Sequence, residues 1–261
     1  MTIRTDLLKL AAATMALGLA GTANAAPLSV NLEDQNWTVD SGYGNARLYQ
    51  VMDGNGRTVN VRATAFAYSG TNYNNGNKQS AQLNEYSGGL GVSNRGEGTN
   101  AGSPMHTMDN GYSTDFIMLQ FDQLVRPDEV GLTAYYQEGQ IDADVSVAVG
   151  RVDTGFDSYI DPTTQFNTLS TYLDVQTDFW TGSLYDGQFV SADNFDFGST
   201  YGNVVMIAGD LGAAGSPFDS LKIKFINLDV FEGEVPEPAA LGLLGLGLLG
   251  LAGIRRRRSA K

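Results

Sequence analysis

Cysteine is absent from the 261 residues, and histidine occurs once, at His106. The first absence excludes a disulfide framework and thiol catalysis, and the two together exclude a nitrogen and sulfur shell for zinc. A Ser-His-Asp arrangement would have to use His106, yet no G-x-S-x-G element marks its nucleophile. P-loop and dinucleotide fingerprints are missing, and no repeat of fixed period points to a solenoid or propeller. Basic residues are few. Sixteen Lys and Arg stand against 29 Asp and Glu, a formal net charge of -13 at pH 7. A surface of that sign repels nucleic acid and anionic lipid, and favours divalent cations, basic partners or neutral polysaccharide.

Long apolar runs are confined to the two ends. Near the amino terminus, Arg4 and Lys9 precede an apolar stretch from Leu10 to Leu19, and Ala23-Asn24-Ala25 offers an A-x-A cleavage site before Ala26. This pattern reads as a secretory signal peptide over residues 1–25. At the other end, Val235-Pro236-Glu237-Pro238 leads into an apolar run from Ala239 to Ile254, then Arg255, Arg256, Arg257 and Arg258. Pro236 and Pro238 push the residues before them toward extended conformations, which a protease can bind. The run is short for a bilayer span, and Pro238 in the first turn together with snorkelling of Arg255 would lengthen its reach. The four arginines form a cytoplasmic stop that leaves the preceding chain outside. A buried core helix is the competing reading, and the abutting arginines argue against it.

This tail resembles the PEP-CTERM sorting signal. The resemblance implies processing by an exosortase, a membrane-embedded enzyme of some Gram-negative bacteria. The organisation expected is therefore a signal peptide at 1–25, an exported body at 26–234 and a sorting signal at 235–261. Within the last, 235–238 is the motif, 239–254 a transmembrane helix and 255–261 a basic tail. The expected route is export, a membrane-anchored intermediate, then the cell surface or the extracellular space.

The body alone carries 9 basic against 27 acidic residues. Without disulfides it must rely on an apolar core, which about 200 residues can build as one domain. Apolar residues alternate with polar ones at Leu28, Val30, Leu32; at Val59, Val61, Ala63, Ala65; at Val145, Val147, Val149; and at Leu221, Ile223, Phe225. Period two predicts half-buried strands. Phe116 to Phe121 and Val204 to Ala208 are nearly continuous apolar runs, as central strands covered on both faces would be. Asp53-Gly54-Asn55-Gly56, Gly88-Gly89 and Tyr201-Gly202-Asn203 are turn signals, Asn72 to Asn77 and Ser93 to Met105 read as loops, and no amphipathic helix is visible. The fold expected is all-β, an antiparallel β-sandwich of jelly-roll type with a single C-terminal transmembrane helix.

One internal stretch carries most of the candidate chemistry. It holds Leu90-Gly91-Val92, Glu97, His106-Thr107-Met108-Asp109-Asn110 and Asp115, and Asp142-Ala143-Asp144 and Phe218 to Ile223 follow later. These elements are similar to a family of exosortase-dependent surface proteins with a Leu-Gly-Val strand, an H-x-x-D-N element and a D-x-D strand. The resemblance implies a surface or matrix location and no particular activity. Glu97, Asp109, Asn110 and Asp115 supply the oxygen ligands that Ca²⁺ prefers. The plainer reading is that Asp and Asn close turns and His106 bonds a loop carbonyl, since no EF-hand spacing is present. Asp142 and Asp144, two apart, make a solvated edge or a cation site. Tyr135-Tyr136, Tyr159, Tyr172, Phe179-Trp180 and Tyr185 could stack on sugars or serve the core.

The function expected is a non-catalytic structural protein of the cell surface, extracellular matrix or biofilm. The alternative is a polysaccharide-binding or polysaccharide-active domain sent by the same route. The partners expected are the exosortase, the membrane before processing and extracellular polysaccharide, with no nucleic acid. No cofactor is expected beyond Ca²⁺.

Overall fold

The computed structural model describes residues 26–33, 37–39, 41–69, 77–97, 106–111, 113–137, 140–152, 155–156, 158, 160, 187–193, 195, 197–211 and 219–232. The expected signal peptide, transmembrane helix, basic tail and most of the two expected loops lie outside these residues. Among the described residues the regular elements are strands, and every strand pair is antiparallel. They are β1 (Ala26–Asn31), β2 (Trp37–Val39), β3 (Ala46–Met52), β4 (Thr58–Ser69), β5 (Asn77–Ser80), β6 (Gln82–Tyr86) and β7 (Gly89–Ser93). Then come β8 (Met108–Asp109), β9 (Thr114–Ala134), β10 (Tyr136–Gln137), β11 (Gln140–Ile141), β12 (Val145–Gly150), β13 (Gln188–Asp193), β14 (Gly202–Gly209) and β15 (Ser220–Val230).

The all-β, antiparallel organisation is the one that the alternation implies. Thirteen of the strands join in one sheet, β10 and β11 pairing apart as a short ribbon, because the 21-residue β9 serves both halves. Phe116 to Phe121 lies between β4 and β14, and Val125 to Ala134 lies along β15, with β13 on the other edge. The sheet follows β2-β3-β4-β9-β15-β7-β6, with β12 beyond β14 and β1 beyond β15. It is nearly closed and barrel-like. The far end of the path returns to the start: Asn45 donates to Leu83 O and accepts from Leu83 N, both at 2.8 Å, and Arg47 pairs with Glu85 at 2.7 Å.

Two apolar clusters explain the two continuous runs. Ile117, Leu119, Phe121, Val205 and Ile207 face the main core with Leu28, Val30, Val61, Leu132 and Ile223. The alternate residues Phe116, Met118, Val204 and Met206 pack on the opposite face with Phe66, Tyr68 and Ala148, and the rings of Phe66 and Phe116 lie 5.5 Å apart. Both faces being covered, the two runs are apolar at every position but Gln120.

The glycines of β7 answer a packing demand. This strand is wholly buried, and a Cβ at Gly91 would sit 1.7 Å from the backbone oxygen of His106. At Gly89, with φ +113°, it would sit 2.3 Å from the backbone oxygen of Ile223. Backbone at that distance cannot swing aside as a flexible side chain can. Gly91→Ala is expected to cost about 3 kcal/mol, the upper end of ordinary overpacking. Urea denaturation measures this, and a loss below about 1 kcal/mol would mean that the His106 segment yields freely.

Candidate functional site

Three of the four expected ligands converge. Glu97 lies in the turn after β7, Asp109 ends β8, and Asp115 is the second residue of β9, on the same side as Ile117 and Leu119. One carboxylate oxygen from each lies within 4.8 Å of the other two. The turn builds the site: Asn94 N donates to Glu97 Oε2 at 3.0 Å, Asn94 Oδ1 accepts from Gly96 N at 2.9 Å, and Asn94 Nδ2 donates to Asp115 Oδ1 at 3.3 Å. Asp109 Oδ1 accepts from Gly111 N at 3.1 Å.

The electrostatics are those of acids crowded in a dry place. Burial, followed by the charge of Glu97, pushes Asp109 up to about 7. Burial again, then Asp109 and Glu97, raises Asp115 well above the carboxylate range, and burial raises Glu97. Among the described residues, no Lys or Arg figures in the charges acting on these three. Such a trio either keeps protons or takes a cation, and its oxygens suit a hard ion such as Ca²⁺.

Asn110 does not join them. Its amide Nδ2 donates to Asp219 Oδ2 and to Asp210 O, and its Oδ1 accepts from Asp219 N at 2.9 Å. Of the expected ligands, Asn110 is thus set apart from the other three: in extended chain, neighbours Asp109 and Asn110 point to opposite sides. Asp219 also gathers Asp142 and Asp144, with one carboxylate oxygen of each within 4.8 Å of the others. Asp219 Oδ1 accepts from Asp144 N and Oδ2 from Asp210 N, both at 2.8 Å. Burial dominates in pushing Asp219 up to about 8, with Asp142 and Asp144 adding to it. The Asp142–Asp144 pair sits just before β12 rather than within a strand. Asn110 of the H-x-x-D-N element, the D-x-D pair and Asp219 of the segment running to Ile223, read separately in the sequence, thus meet here. Asp219 was not among the expected ligands, although it lies within the last of those segments.

His106 takes part in neither cluster. Its Nδ1 lies 3.2 Å from Ser93 Oγ, its ring stacks on Tyr86 at 4.9 Å, and burial followed by the charge of Lys222 holds it below the usual imidazole range. The Ser93–His106 contact is a poor start for acyl transfer. Ser93 is fully buried, and its Oγ accepts from Asn84 Nδ2 at 3.1 Å. An open hollow of about 430 Å³ lies elsewhere, between Phe121, Leu124, Val152, Phe156 and Asn203. Its carboxylate, Asp122, is bonded to Asn60 through Asn60 N at 3.0 Å and Nδ2 at 2.6 Å. Of the expected aromatics, Tyr135 packs on Lys222 and Tyr136 is exposed, while Tyr159, Tyr172, Phe179, Trp180 and Tyr185 lie outside the described residues.

Residues 234–258 match the family described as the PEP-CTERM protein-sorting motif. No curated protein and no solved structure matches the chain. The motif implies export and processing by an exosortase. It does not assign a role to the body.

Proposed function

We propose that this protein is a non-catalytic structural component of the cell surface or extracellular matrix of a Gram-negative bacterium. It is exported, held briefly by its C-terminal segment and processed by an exosortase. The observation that carries this reading is a PEP-CTERM motif on an all-β body whose two clustered acid trios are each largely buried rather than set along a cleft. General acid and base groups must reach a substrate, and a fully buried Asp115 reaches none. In this reading the Glu97, Asp109 and Asp115 trio is a structural Ca²⁺ site. Extracellular modules can use weak sites, with dissociation constants of roughly 10⁻⁴ to 10⁻³ M, because the ion is abundant there.

The enzymatic alternative makes a direct test. Incubated with the extracellular polysaccharide of the producing organism, the protein is expected to release no reducing ends above the blank. Turnover that vanishes on replacing a single carboxylate would overturn the non-catalytic reading.

A further inference from the structure

Strands β13, β9, β15 and β1 turn one face toward the main core and the other outward. The register sets the outward side chains in rows: Ser191, Gly131, Phe225 and Asn31 form one, and Asp193, Glu129, Asn227 and Ser29 the next. Their chain neighbours Val190, Val130, Ile226 and Val30 are in the core. An outward sheet face is ordinarily polar, and this one carries two phenylalanines.

Gly131 explains how they lie. A Cβ there would fall 2.2 Å from Cε1 of Phe225 and 2.5 Å from its Cδ1, so the Phe225 ring crosses β9 through space that any other residue would fill. Phe189 on β13 is 50 % exposed, and its ring lies 6.0 Å from that of Phe225 with the planes 29° apart. The pair makes a platform across three strands. Beside it runs a polar row in which Glu129 accepts from Ser191 Oγ and, at 2.6 Å, from Asn227 Nδ2. These bonds fix the carboxylate and the amide in place, and both retain hydrogen-bonding capacity.

Flat rings beside fixed acceptors and donors suit a sugar, whose C–H face stacks on an aromatic while its hydroxyls seek polar partners. Charge narrows the class. Glu129, Asp193 and Asp229 lie on this face, and Arg126 is engaged with Asp229, so uronate or sulfated chains meet repulsion. We infer that this face binds a neutral polysaccharide, stacked on Phe189 and Phe225 with its hydroxyls on the Glu129 and Asn227 row. The inference rests on the extracellular placement proposed above and gives the body a ligand there.

The test is co-sedimentation of the full chain, in a detergent without a sugar headgroup, with amorphous cellulose, chitin and an insoluble α-glucan, and with a pectate gel as the anionic probe. Retention is expected on at least one neutral probe and not on pectate. Phe189→Ala should weaken it by roughly tenfold, the scale of one lost ring contact. Gly131→Ala should weaken it too, by displacing the Phe225 ring while removing no aromatic atom. Phe189 is half exposed, so its variant is expected to melt with the parent. Retention on no neutral probe, retention on pectate alone, or equal retention of Phe189→Ala would overturn the inference. Self-association lost in Phe189→Ala without glycan retention would also overturn it, by showing that a second copy covers the face. Delivery is read separately from the processed protein in cell fractions, so a failure here leaves it standing.

Discussion

Ca²⁺ is expected to raise the melting temperature of this protein, and to raise it more at pH 8 than at pH 5. Burial lifts all three acids of the Glu97, Asp109 and Asp115 site, Asp109 to about 7. Their folded pKa values thus exceed the unfolded ones, and the folded state binds more protons between the two. Stability from these groups is full below about pH 4 and is lost as pH rises to and through about 7. A metal ion needs the ionised carboxylates, so it competes with protons at pH 5 and offsets the loss at pH 8. At a hundred times its dissociation constant, an ion bound only to the native state adds about 2.7 kcal/mol, or roughly 5–10 °C for a body of this size. Chelator should reverse the shift.

Asp109→Asn with Asp115→Asn should abolish the Ca²⁺ shift while keeping the shape of the site. The same double change should flatten the decline in metal-free stability between pH 4 and pH 7. Some slope should remain, because Asp219, pushed up to about 8, makes its own contribution in the same direction. An undiminished Ca²⁺ shift in the double variant would return these acids to the role of closing turns.

Period two made the strands legible, and the continuous runs marked their centre. The full length of β9 was not legible, because Pro127 reads as a strand breaker in the middle of it. The structure accommodates Pro127 opposite Leu228, where the register of β9 against β15 shifts, so its missing N–H falls at an irregularity in the ladder. That continuity through Pro127 is what joins the two halves into one sheet. The site divides in a similar way. Glu97, Asp109 and Asp115 lie within one short stretch and could be grouped by sequence. Asp219 stands 109 residues beyond Asn110 and meets it only because β15 returns antiparallel to β9 and beside β8. Composition could suggest that acids were numerous but not which would be enclosed, since that depends on which strands cover them.

Replacing Pro236, Glu237 and Pro238 together by alanine should leave essentially all of the protein unprocessed and membrane-bound in a host that carries an exosortase. Pro236 and Pro238 disfavour helical geometry at the residues before them, Val235 and Glu237, and a processing enzyme needs an extended backbone whose groups it can bind. Three alanines remove that restraint and favour helix, so the apolar segment from Ala239 to Ile254 could extend backward through the motif. Retention is expected from the apolar run and its flanking arginines, which the substitution leaves intact. The variant should therefore separate processing from anchoring: its mass should be that of the chain after signal-peptide removal alone, and it should fractionate with membranes. The Ca²⁺ response of the body should be unchanged, because Glu97, Asp109 and Asp115 lie far back in the chain. A variant of parental processed mass, delivered like the parent, would show that the apolar segment and basic tail alone direct the enzyme.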